Sequence, residues 1–176
     1  MQIPEKSRFA LFLRGLVTCL LLTCVFPLLL ALFWVFVLKQ YSPKFGPIGT
    51  LQVNCFIIAA GTGAVLVAYL IAFFPAVHIG RIRTTAHVIV SAVAACVAAY
   101  LSLTGSFASW VGSNVLGIND WWGDAIGVSV AAAVAFVVAA LLVRGISATR
   151  KGMTEPNIGQ VSSESASSAA PDEPSM

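Results

Sequence analysis

A chain of 176 residues that is 59% hydrophobic and only 10% charged carries far more apolar surface than a soluble domain, where charged residues make up roughly 25%. The length suits a single domain. The formal charge of +3 sits beside apolar runs, where basic residues mark membrane topology, so the expected partner is the lipid bilayer and not nucleic acid.

Residues 1–15, with Lys6, Arg8 and Arg14, read as a short basic N-terminus on the cytoplasmic side. An uninterrupted apolar run over 16–38 follows, which at about 1.5 Å per residue reaches about 34 Å, enough to cross a hydrocarbon core of about 30 Å. The run is longer than the apolar region of a signal peptide, and Val37-Leu38-Lys39-Gln40 offers no small-x-small cleavage site. An uncleaved first span is therefore expected. Pro27 falls in its middle, removing one backbone N–H and leaving the Thr23 carbonyl without its usual donor, so a kink is expected there.

Three further uncharged runs, over 53–75, 88–104 and 125–143, are each about as long as a spanning helix. The first connection is rich in Pro and Gly, the second is short, and the third, 105–124, holds no Lys or Arg. Within it, 106–116 places Phe107, Trp110, Val111 and Val115 at helical spacing, the pattern of a short amphipathic helix lying on the membrane surface. The transmembrane domain is expected over 16–148, and 149–176, rich in Ser, Ala, Pro and Glu, as a disordered tail.

Orientation follows from the basic residues. Lys6, Arg8, Arg14, Arg81, Arg83, Arg144, Arg150 and Lys151 fall on one side of a four-span scheme, and only Lys39 and Lys44 on the other. Lys and Arg are retained in the cytoplasm, so both termini are expected inside. Trp34, Trp110, Trp121 and Trp122 then all lie at the outer interface, a depth that suits an apolar ring with one N–H. Asn119 or Asp120 is a candidate cap for the fourth helix, with Asp124 in its first turn. Asp120 and Asp124 also form a possible recognition patch on the outer face.

In lipid, helices approach through small residues. Span two carries Ala60, Ala64, Ala68 and Ala72 at intervals of four, with Ala59 and Gly63 beside them; span three carries Ser91, Ala95 and Ala99; span four carries Gly127, Ala131, Ala135 and Ala139. A tight core of spans two to four is expected, with the bulky Leu- and Phe-rich first span packed outside it.

Chemistry is harder to find. The four runs contain no Asp, Glu, Lys, Arg or His, which argues against proton-coupled transport, since that needs an ionisable group at membrane depth. Gly127-Val128-Ser129-Val130-Ala131 approaches a serine-nucleophile motif but lacks its last glycine, and His78 and His87 belong to the opposite side. Those two histidines have no cysteine or carboxylate nearby to complete a metal site. Cys19, Cys24, Cys55 and Cys96 sit in or beside the spans without a CxxC pair, as small hydrophobes.

The sequence thus predicts an all-α integral membrane protein with four transmembrane helices, in a bacterial cytoplasmic membrane, with no catalytic residue, cofactor or metal. The expected role is an accessory, assembly or protective subunit that binds other membrane proteins or itself. The alternative is an oligomeric transporter or channel component for a small or apolar solute.

Overall fold

A computed structural model describes residues 5–78, 85–118 and 120–154. Among these the chain is helical apart from short connections, with no strand. Four helices are long and apolar enough to cross a membrane: Lys6–Val37, Gly46–His78, Thr85–Thr104 and Trp121–Ile146. The chain divides into two compact units, Met1–Leu141 and Leu142–Met176. The four-helix packing lies in the first; in the second, helix continues to Thr154.

The helices overrun the apolar segments that announce them. The first begins at Glu5, so Lys6, Arg8 and Arg14 ride on its opening turns, and the last runs to Thr154, well beyond residue 143. Apolar length fixes where lipid can sit, whereas a helix stops only where something interrupts its hydrogen bonds. Lys39, in the left-handed region at φ 52°, ends the first span, and Gly46, at φ 66° and followed by Pro47, opens the second. The tail from residue 155, Arg81 and Arg83, and Asn119 lie outside the described residues.

The first span changes its winding three times: α1 (Glu5–Leu20), a π turn (Leu21–Val25), α2 (Phe26–Leu32) and a second π turn (Phe33–Val37). Next come α3 (Gly46–His78), α4 (Thr85–Thr104), the single turn α5 (Phe107–Trp110) with a third π turn (Val111–Val115), and α6 (Trp121–Thr154). Phe12 meets Tyr69 while Thr23 meets Thr62, so α1 and α3 run antiparallel. Gly15 faces Val88 and Leu22 faces Cys96, so α1 and α4 run parallel. Gly61 faces Val128 and Phe73 packs on Phe136, which sets α6 parallel to α3. The order is up, down, up, down.

The first span is the least buried of the four, as its bulky residues lead one to expect, but it does not lie outside a core made by the other three. It packs against both α3 and α4, which touch each other much less, and contributes Phe12 and Cys19 to a core completed by Val65, Tyr69, Phe73, Ala92, Ala95 and Phe136. Its buried stripe of Phe12, Gly15, Cys19 and Thr23 recurs at helical spacing, while the Leu and Phe residues that suggested an outer position point outward from the other faces. A second cluster gathers Ile57, Ala108, Ala125 and Val128 at the opposite end.

The connection after α4 forms the short helix that the spacing predicts, in a packing that the sequence does not reveal. Gly105 donates its N–H to Leu101 O at 2.8 Å, Ser106 turns into the left-handed region at φ 58°, and the chain folds back as 107–115. Ala108 lies against Gly127 and Gly112 against Gly123, so this short helix runs antiparallel along the opening turns of α6. Its buried face is made of Ala108 and Gly112, and Phe107, Trp110 and Val115 are exposed. Backbones can touch only where a side chain is missing. A Cβ on Gly123 would stand 2.6 Å from Ile118 O and 2.9 Å from Gly112 Cα, and one on Gly127 would stand 2.7 Å from Ala108 Cα.

These contacts predict that Gly123→Ala and Gly127→Ala each destabilise the protein by about 1–3 kcal/mol, the usual range for overpacking. Gly63, whose Cβ would meet nothing within 4 Å, is the control. Gly63→Ala is expected to leave stability unchanged or raise it slightly through helix propensity. Thermal unfolding of the three variants in detergent checks the contrast.

Candidate functional site

The residues expected to pack helices fall on more than one surface. Ala68, Ser91, Ala95 and Gly127 are buried between helices. Ala99 bridges both core clusters, and Ala60 flanks the second. Gly63 is exposed and contacts nothing across a helix interface, which corrects its assignment as a packing residue. On α6 the buried ridge is Ala125, Val128, Ala132, Phe136 and Ala140, one position away from the expected ridge, whose Ala131, Ala135 and Ala139 are half-buried. The shift has a clear cause. Phe136 is fully buried against Tyr69 and Phe73, with ring centroids 6.4 and 6.2 Å away, and that large ring sets the rotation of the helix.

Trp34, Trp110, Trp121 and Trp122 all stand toward the same end of the bundle, opposite Lys6 and His78. Trp34, Trp110 and Trp122 are exposed. Trp121 is half-buried, its ring 4.8 Å from Phe56 and stacked 4.3 Å from Trp122, so two of the indoles also tie α6 to α3. Asp120 caps α6: its carboxylate accepts the Trp121 N–H at 2.8 Å and its carbonyl accepts the Gly123 N–H at 2.8 Å. Asp124 is half-buried in the first turn of that helix.

The most distinctive chemistry surrounds Pro27. Thr23 O lacks the N–H that residue 27 would supply, as the sequence predicts. The preceding π turn adds a second deficit, because the Phe26 N–H bonds Leu21 O and so is withdrawn from Leu22 O. Two adjacent carbonyls therefore lose their usual donors, and two other helices bring donors to them. Thr62 Oγ1 on α3 donates to Thr23 O at 2.7 Å, and Cys96 Sγ on α4 donates to Leu22 O at 3.7 Å. Nearer the start of the span, the buried Tyr69 hydroxyl donates to Phe12 O at 2.8 Å. Gly15 makes room for that reach, since a Cβ there would stand 2.5 Å from the Tyr69 oxygen. Sequence reasoning identified the deficient Thr23 carbonyl but missed Thr62, Tyr69, Cys96 and Gly15.

The other hydroxyls act locally. Ser91, Ser102 and Ser129 each donate to the carbonyl four residues earlier in their own helices, at 2.7–2.8 Å. Among the described residues no buried side-chain nitrogen or oxygen lacks a partner, and no group of three or more His, Cys, Asp or Glu gathers as metal ligands. His78 lies against Phe74, ring centroids 4.9 Å apart. All four cysteines are free thiols.

One concavity opens on the flank of the first unit. An apolar groove of about 430 Å³ runs between α3 and α6, with Phe56, Ala60 and Ala64 on one wall and Trp122, Ser129 and Ala133 among the residues of the other. Comparison with protein-family models, curated proteins and solved structures returns no match.

The donors around Pro27 yield a double-mutant prediction. Thr62→Val is expected to cost about 1 kcal/mol, the scale of an interhelical hydrogen bond in a membrane protein. In a Pro27→Ala background the restored N–H returns a donor to Thr23 O, so the same change should cost less. Four thermal melts in one detergent measure the coupling; equal costs in both backgrounds would remove the assigned role of Thr62.

Proposed function

We propose that this is a four-span protein of a bacterial cytoplasmic membrane, with both termini in the cytoplasm, that acts by binding other membrane proteins and carries out no catalysis. The orientation is supported by Lys6, Arg8, Arg14, Arg81, Arg83, Arg144, Arg150 and Lys151 on one side, against Lys39 and Lys44 on the other. The four tryptophans gather at the end that this scheme assigns to the outer leaflet.

One observation carries the functional reading: among the described residues large rings fill the centre of the bundle, while an apolar groove lies open on its flank. Tyr69, Phe73 and Phe136 fill the centre, and Thr62, Tyr69 and Cys96 are engaged by the main chain of the first span. A solute pathway would need polar or ionisable groups turned toward a cavity. The groove between α3 and α6 instead offers small apolar walls at Ala60, Ala64, Ser129 and Ala133, suited to close approach by a transmembrane helix of another protein. An accessory, assembly or protective subunit fits that surface. The alternative, a transport component built by oligomerisation, gains no support from the filled centre.

A photo-crosslinking amino acid placed at Ala64 or Ala133 in native membranes is expected to yield one defined protein adduct. The same group at Val97, an exposed position on α4, should yield none. Adducts of equal yield at all three positions, or solute flux through the purified chain in liposomes, would overturn the reading. A reporter fused at Met176 tests the orientation separately and is expected to report from the cytoplasm.

A further inference from the structure

We propose that the first span is a two-part helix hinged at Pro27, whose second half, Phe26–Val37, swings laterally in the bilayer while the half before it stays fixed to the bundle. The two halves are held very differently. Before the break, α1 and its π turn pack on both α3 and α4, bury Phe12, Cys19 and Thr23, and receive Tyr69, Cys96 and Thr62 on their carbonyls. After the break, α2 packs on α3 and has no buried residue; Leu29 is 60% exposed and Phe26 61%. Val35, in the last turn, is the one buried side chain of that half.

The joint itself is built to bend. Pro27 removes the hydrogen bond that would stiffen the helix at this level, and the π turn has already widened the winding before it. A helix break normally resists movement because bending exposes carbonyls to lipid. Here the two affected carbonyls, Leu22 and Thr23, take donors from α4 and α3, both on the fixed side. The second half can therefore change its angle without disturbing those bonds. Regions with few buried side chains are the ones that open at low free energy, and α2 with its following turn buries only Val35 and packs on α3 without the hold on α4 that the first half has. The motion opens and closes a lateral gap between α2 and α4. It is independent of which partner, if any, occupies the groove between α3 and α6.

The test uses pairs of spin labels attached through bioorthogonal amino acids, which leaves the four cysteines native, in the full chain reconstituted in liposomes. One pair, at Phe36 and Leu103, reads across the gap; the other, at Leu13 and Val90, reads the fixed half; all four positions are exposed and accept a label. Pulsed dipolar spectroscopy should give one narrow distance for Leu13 and Val90. For Phe36 and Leu103 it should give a broad or double distribution with an added longer-distance population. Pro27→Ala should reduce that distribution to one narrow peak. Equal widths for the two pairs in the native chain would overturn the hinge, and this comparison stands whether or not Pro27→Ala folds. A Phe36 and Leu103 distribution unchanged by Pro27→Ala would overturn it as well.

Discussion

Hydrocarbon offers no hydrogen bonds, so every main-chain carbonyl at membrane depth must be satisfied from within the protein, at a cost of several kcal/mol where it is not. Pro27 and the π turn before it leave the Leu22 carbonyl without a helical donor and deny the Thr23 carbonyl its usual one. Thr62 and Cys96 approach from two other helices to supply them. Three spans are thereby set in register around one point. Tyr69 on Phe12 O adds a second fixed point along the same pair of helices, about ten residues away.

Close packing follows from the same constraint. A side chain reaches a neighbouring backbone only if that backbone comes near, and in lipid this requires small residues at the contact. Gly15 admits the Tyr69 hydroxyl, and Ala92 and Ala95 face the buried stripe of the first span. At the other end, Gly112 against Gly123 and Ala108 against Gly127 bring the folded-back turn onto α6. Ser106 accepts a left-handed conformation, which costs a non-glycine residue about 1–2 kcal/mol, to make that reversal. The aromatic rings then fill what the small residues leave. Phe136 packs edge-on against the stacked pair of Tyr69 and Phe73, and Phe56 meets both Trp121 and Trp122.

How much of this the sequence carries depends on the range of the interaction. The four apolar helices are legible because burial in lipid is a property of a continuous run. The deficient carbonyl at Thr23 is legible because it follows from a proline four residues later. Its donor is not, because Thr62 is 39 positions away and looks no different in sequence from a hydroxyl that bonds its own helix. Ser91, Ser102 and Ser129 are of that local kind. Rotation of the Ala-rich helices is equally hidden. Between residues 125 and 140 α6 has alanines on several faces, and only the fit of Phe136 against α3 chooses one. The Leu and Phe residues of the first span mark the most exposed of the four helices, and only the spacing of Phe12, Gly15, Cys19 and Thr23 marks the face that enters the core.

The polar groups inside the bundle serve the fold. Thr62, Tyr69 and Cys96 are committed to main-chain carbonyls, and the serines to their own helices. A hydroxyl already donating to a carbonyl at 2.7 Å can still accept a hydrogen bond, but it has no proton free to give a substrate without breaking the contact that aligns two spans. Conduction or catalysis through this interior would thus compete directly with stability. The docking proposed for the outer flank would not. The small apolar walls at Ala60, Ala64 and Ala133 take no part in the Pro27 hydrogen bonds, so a partner helix docked as proposed would leave the interhelical register intact.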